Sequence, residues 1–137
     1  FYKNSGFDKN IFLYWEETDY TKRAKKLGYK AYQLNDVKVK HGKGKAVKTS
    51  NLIEREKLKT LYIWHFIWSK FYFFKKHYSF ILAIVIFIPI ILRILFRITI
   101  YKFYDRSKFN KYFFRLDGLI NSILGKKSHM RLKNINF

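Results

Sequence analysis

The sequence predicts a mixed α/β unit followed by membrane-associated helices, and three observations carry that reading. A short acid-to-base helix near residue 16 runs into two segments of strand-like alternation, at 29–34 and 37–41. Residues 80–92 are thirteen consecutive uncharged, apolar positions. On both sides of them aromatic and basic residues interleave at helical spacing, the composition of helices resting at a lipid interface.

Charge and length narrow the classes. The 137 residues carry 29 Lys and Arg against 9 Asp and Glu, a net charge of +20. Seven of the nine acids precede Lys57, and residues 57–104 hold none while carrying eight Lys or Arg. Such a balance suits nucleic acid or an anionic membrane surface. No helix-turn-helix, RNA-recognition or zinc signature is present, and a nucleic-acid module explains neither the early acidic cluster nor the apolar run. The chain has no cysteine, which excludes disulfides and thiolate metal sites. It opens on Phe1 without an initiating Met or a signal-peptide pattern, and an N-terminal truncation accounts for both.

Gly6 marks a turn, and Ile11, Phe12 and Leu13 form an apolar run. A helix starts near residues 16–18, where Glu16, Glu17 and Asp19 sit at the positive end of the helix dipole. Lys22, Arg23, Lys25 and Lys26 fill its later turns, and Gly28 is its C′ residue. Tyr20, Ala24 and Leu27 are spaced for one buried face, and Asp19 with Arg23 forms a structural i,i+4 ion pair. Two strands follow, joined by the Asn35-Asp36 turn and ending on His41, after which a glycine-rich loop contains Lys43 and Lys45.

The second half divides at 51–78, 79–104 and 105–137. Leu58, Leu61, Trp64, Trp68 and Phe71 share one face of an interfacial helix, with Lys59, Lys70, Lys75 and Lys76 off that line. Residues 80–100 form an apolar stretch of 21, interrupted by Arg93 and Arg97 and containing Pro89. That length suits a kinked span or a shallow in-plane hairpin, since roughly 20 apolar residues cross a bilayer and an arginine near the middle costs about 2.5–3.5 kcal/mol. Phe109, Tyr112, Phe113, Leu116, Leu119 and Ile123 make an amphipathic helix on the membrane, ended by Gly125, with 126–137 frayed. His65, His77 and His129 read as interfacial or surface residues.

The ordered combination Gly6-Phe7-Asp8, Tyr14-Trp15, Glu16-Glu17-Thr18-Asp19, Arg23, Gly28-Tyr29 and His41 resembles the acceptor half of a family-2 glycosyltransferase. The likeness covers residues 4–45 and continues more loosely into the membrane stretch, which looks like the C-terminal extension of bacterial rhamnosyltransferase-like members. It implies the C-terminal half of a GT-A, Rossmann-like domain over residues 1–50, with the nucleotide-binding half outside this chain.

An inverting transfer needs a general base at the acceptor hydroxyl and a cation on the leaving diphosphate. By the resemblance Glu17 is that base, one methylene longer than the family's usual Asp, and Glu16 shapes the acceptor pocket. His41 would contact a divalent metal, Mg or Mn, whose other ligands lie in the nucleotide-binding half. Lys43 and Lys45 would close over the diphosphate, or form a solvated charge run. Trp15 and Tyr14 suit the face of a sugar, and equally a packed core. The implied reaction moves a sugar from a nucleotide-sugar donor to a glycan or lipid-linked acceptor in cell-surface polysaccharide synthesis, at the cytoplasmic face of the bacterial inner membrane. The alternative is a small basic membrane-anchored interaction protein, which leaves residues 4–45 unexplained.

Overall fold

The computed structural model describes residues 6–32, 34–38 and 51–135. Helix α1 (Glu16–Lys26) precedes three long helices, α2 (Leu52–His77), α3 (Phe80–Tyr104) and α4 (Arg106–Ile123), and a final 3-10 turn covers Leu132–Asn134. Each long helix begins on a side chain that satisfies a free backbone N–H. Asn51 Oδ1 accepts from Glu54 N at 2.7 Å, Ser79 Oγ from Leu82 N at 3.1 Å, and Asp105 Oδ1 from Lys108 N at 2.9 Å. Tyr78 and Ser79 alone separate α2 from α3, and Asp105 alone separates α3 from α4.

The expected α/β class is not what forms: among the described residues there is no strand. The helix at 16–26 is present, with Gly28 in the left-handed region that lets the chain leave it. The described residues of the alternating segments, 29–32, 34 and 37–38, are irregular and open to solvent, with Tyr32 and Leu34 79 % and 72 % exposed. Alternation supplies a face but not the neighbour whose backbone must complete the ladder, and a lone hairpin is marginal in water. No neighbouring strand is found among the described residues. Consequently, among the described residues of 1–50, one helix flanked by turns and irregular backbone stands in place of the expected Rossmann-like half-domain.

Helix α2 is the axis of the bundle. Leu58, Leu61, Trp64, Trp68 and Phe71 do share one face and are buried, but protein covers them. Trp64 and Trp68 stack at 6.4 Å and close over Met130 and Ile135. Residues 126–135, expected to fray, thus pack back on α2. Phe71 meets Phe87 of α3 edge-on at 5.1 Å, in a second cluster with Ile67, Ala83, Ile94, Tyr112 and Leu119. A fully buried aromatic stabilises the fold by on the order of 4–6 kcal/mol at roughly 25 cal/mol per Å². Their indoles are also satisfied, Trp64 Nε1 donating to Asp117 Oδ2 at 2.6 Å and Trp68 Nε1 to the Lys126 carbonyl at 3.2 Å.

Helix α4 is therefore a member of the bundle along one side, with Leu119 and Ser122 sealed against α2 and α3. Its other side leaves Phe113 and Ile120 exposed. Helix α3 gives the bundle only a narrow stripe. Ala83, Phe87 and Ile94 are buried, whereas Ile81, Val85, Ile88, Leu92 and Phe96 face outward. With 25 residues and a mean hydropathy of 2.7 over its most apolar window, α3 is long and apolar enough to span a membrane.

Close approach of α2 and α4 depends on Gly118, where an added Cβ would stand 2.7 Å from the Trp64 carbonyl oxygen. Alanine at Gly118 gains about 1 kcal/mol of helix propensity. The overpacking costs about 1–3 kcal/mol, and the obstacle is backbone, so it wins. Gly118→Ala is expected to lower the melting temperature in detergent by several degrees, while Ile120→Ala on the exposed side leaves it nearly unchanged; equal melting of Gly118→Ala and the wild type would contradict this crossing.

Candidate functional site

Residues 6–28 wrap the flank of α2 that faces away from α4. The path is set first by a tight turn, in which Asp8 Oδ1 accepts from Asn10 N at 2.9 Å and the Asp8 carbonyl accepts from Ile11 N at 3.0 Å. Ser69 Oγ then donates to the Leu13 carbonyl at 2.8 Å, tying the segment to the middle of α2. The next two residues, Tyr14 and Trp15, both lie in the left-handed region, at φ 63° and 69°. Such a conformation costs about 1–3 kcal/mol per non-glycine residue and persists only where packing over-determines it. Here aromatic contacts supply the packing. Tyr14 meets Phe66 edge-on at 5.6 Å, and Trp15 lies 5.1 Å from Phe73. Both rings thus serve as packing residues, and Tyr14 retains 36 % exposure at the outer surface.

The sharp reversal launches α1, and its three acids diverge in environment. Asp19 is fully buried and accepts from three side chains on two helices: Arg23 Nε of α1 at 2.8 Å, and Lys76 Nζ and His77 Nε2 of α2, each at 2.7 Å. The i,i+4 pair with Arg23 is as expected from the sequence, and Arg23 also donates to the Gly6 carbonyl. Lys76 and His77 are not the free interfacial groups that were expected. Lys76 bridges Asp19 to Asp8, whose Oδ2 it reaches at 2.7 Å and which also accepts from Tyr72 at 3.1 Å. Burial alone would raise the pKa of Asp19, but the bonds from Lys76, Arg23 and His77 outweigh it and hold the carboxyl below 3.8. For Asp8, too, burial is outweighed, by the Lys76 bond above all. Burial pushes His77 below 6.5 despite Asp19, so near neutral pH its ring is uncharged and Nε2–H donates to the carboxylate.

His65 occupies a second buried polar site, where the tail closes on α2. Its Nε2 donates to the Met130 carbonyl at 3.0 Å, which leaves Nδ1 to accept from Ser128 Oγ at 3.0 Å. Burial lowers its pKa to about 4. It is a locked core histidine rather than a surface one.

Glu16 and Glu17 remain at the helix start. The Trp15 side chain does not cap α1, and both carboxyls lie at the positive end of its dipole. Glu16 is half-buried, with Oε2 out of water and without a hydrogen-bond partner. Glu17 is exposed. Tyr20, Thr21 and Ala24 follow it at i+3, i+4 and i+7, on the same face. Those three line a groove of about 760 Å³ between α1 and residues 29–32, with Tyr29 and Tyr32 on its far side. A free carboxylate therefore stands one turn above a groove walled by phenol rings. No local pattern of residues marks that groove, because it depends on the path taken after Gly28.

The remaining sequence candidates, His41, Lys43 and Lys45, lie outside the described residues. Among the described residues no group of three His, Asp or Glu is placed to hold a metal ion, and Asp19 is committed to its cations. Comparison with protein-family models, curated proteins and solved structures gave no match.

Asp19→Asn is expected to cost about 2–4 kcal/mol, below the range for a fully buried pair because Arg23 and Lys76 reach water. Unfolding in denaturant checks it, and a cost under half a kcal/mol would contradict the docking role. Acid has its own signature. Folded pKa values below 6.5 for His65 and His77 mean that the unfolded chain binds protons first as pH falls. Their contribution is present above pH 6.5 and is lost as pH falls toward about 4, roughly 3 kcal/mol for His65. The Asp8 and Asp19 contribution is lost only below 3.8. Stability should hold level from pH 8 to 7, decline below 6.5 and collapse below 4; a level profile from 7 to 5 would contradict it.

Proposed function

We propose that this chain is the acceptor-side, membrane-anchoring part of an inverting glycosyltransferase whose nucleotide-sugar site lies outside the described residues. The observation that carries the reading is the exposed Glu17 carboxylate at the start of α1, beside the tyrosine-lined groove, on a segment pinned to the apolar helices by Asp19. Glu17 stands at the positive end of the α1 dipole, an environment suited to a carboxylate. An acceptor hydroxyl in hydrogen-bond reach would lose its proton to Glu17 as its oxygen attacks the anomeric carbon, with the nucleoside diphosphate leaving from the opposite face. Tyr20, Tyr29 and Tyr32 would hold the acceptor sugar, a ring face for its apolar side and a hydroxyl for its polar edge.

The anchoring half of the proposal rests on the outward face of α3. Its apolar residues would be solvated by lipid, and α3 is packed lengthwise against α2 and α4, from Ala83 to Tyr101. Drawing α3 across the bilayer would draw Lys70, Lys75 and Arg115 with it, at about 2.5–3.5 kcal/mol for each charge near the middle. An in-plane position avoids that cost and leaves α1 and the groove in water. The face is the cytoplasmic one, where nucleotide sugars are available and anionic headgroups attract the +20 charge.

Glu17→Gln in the complete enzyme is expected to reduce sugar transfer in membranes by at least about 100-fold, the lower end for loss of a general base, with donor binding kept. Transfer undiminished by Glu17→Gln would remove Glu17 from the chemistry. Failure of transfer by the wild type across a panel of nucleotide sugars and lipid-linked acceptors would favour a membrane-anchored interaction protein, a role that α3 alone also fits.

A further inference from the structure

A second cleft, of about 430 Å³, opens where α2, α3 and α4 meet. Each helix contributes a cation to it: Lys70 from α2, Arg93 from α3 and Arg115 from α4. No acid lines it, and none of the three makes an ion pair among the described residues. Arg115 Nε is out of water and has no hydrogen-bond partner, an arrangement that costs about 1–3 kcal/mol or more unless something accepts from it. Lys70 Nζ is 5.9 Å from the rings of Phe87 and Trp15, contacts that leave its N–H groups free to donate. One turn beyond Arg93, Arg97 donates to Tyr112 Oη at 2.8 Å and adds a fourth positive charge at the rim.

The rest of the wall is apolar, formed by Phe66, Ile67, Pro89, Ile90 and Ile94. Pro89 is exposed at the edge and leads onto the outward face of α3, where Ile88 and Leu92 are 46 % and 62 % exposed. Three converging cations with no counter-charge repel one another and call for an anion. Apolar walls that continue onto a lipid-facing helix call for a hydrocarbon chain on that anion. Free phosphate meets the first demand only.

We propose that this cleft binds the phosphate headgroup of a membrane lipid, with Arg93, Arg115 and Lys70 on its oxygens and the acyl or prenyl chain lying along α3. Arginine forks bind phosphate oxygens in pairs, and lysine adds a point charge. The site rests on the reading that α3 lies in lipid, and the test separates the two.

The full chain is reconstituted with phosphatidylcholine vesicles, with and without phosphatidic acid as the probe, and a photoactivatable phosphatidic acid maps the contact. Binding to pure phosphatidylcholine reports α3 insertion alone; its absence in the wild type would sink the lipid placement of α3. Arg93→Gln with Arg115→Gln is expected to weaken the added affinity for phosphatidic acid about tenfold or more, equivalent to about 1.4 kcal/mol. Lys127→Gln with Lys133→Gln, which removes the same charge elsewhere, should leave that affinity within about twofold. Equal weakening by both pairs would reduce the effect to bulk attraction and overturn the site. Displacement of the probe by millimolar inorganic phosphate would make it a free-anion site and overturn the lipid assignment. In the wild type, crosslinks should fall within residues 66–70, 89–94 and 112–115; labelling spread along the chain would overturn the proposal whether or not the variants fold.

Discussion

Helix α2 has aromatic residues on nearly every face, and the architecture follows from the need to cover all of them. Trp64, Trp68 and Phe71 share one face in two patches, the indoles first and Phe71 second, and Phe66 and Phe73 form a third patch on another face. Large apolar faces of a helix are stable when another element covers them. Helix α4 and the tail close the first patch, with Gly118 permitting the closest contact. Helix α3 closes the second, and residues 11–15 close the third. Once α2 is sheathed, its own amphipathic character disappears from the surface. Most of the large apolar side chains still outward on the long helices belong to α3.

Covering the third patch has chemical consequences. The segment that does so must turn sharply at its end, and the turn falls on Tyr14 and Trp15 in an unfavourable backbone conformation. That strain is held by aromatic packing on one side and by the Asp19 cluster on the other. Asp19 therefore positions a carboxylate it does not touch: by fixing α1 to Lys76 and His77, it leaves Glu17 at a defined height above the groove. Buried charge is expensive, and the bonds that Asn10, Tyr72, Lys76, Arg23 and His77 donate to the two aspartates offset the cost. The arrangement is rigid where the proposed chemistry needs a fixed base.

Local signals were legible in the sequence and distant ones were not. Asn51, Ser79, Asp105 and the glycines at 28 and 125 mark helix ends by mechanisms confined to a few residues. The Asp19–Arg23 pair is equally local. The Lys76 and His77 bonds join positions 57 and 58 residues apart, and nothing at either end announces the other. The strands failed for a related reason: alternation over 29–34 is a property of one segment, whereas a sheet is a property of two. The shared face of Trp64, Trp68 and Phe71 was visible from spacing, but indoles flanked by lysines read alike under lipid or under a helix. Met130 and Ile135 are isolated apolar residues in a polar tail, without the periodicity that would have shown them docking.

The claim on which the account turns is that protein covers α2 while lipid covers α3. Single-tryptophan variants in vesicles containing a lipid with a quencher in its acyl chain measure this directly. One variant retains Trp64 alone, with Trp15→Phe and Trp68→Phe; the other lacks all three native tryptophans and carries Ile88→Trp. The account predicts strong quenching at position 88 and almost none at Trp64. Comparable quenching at both would mean that the aromatic face of α2 itself lies in the membrane, and that the bundle described here is not the membrane-bound form.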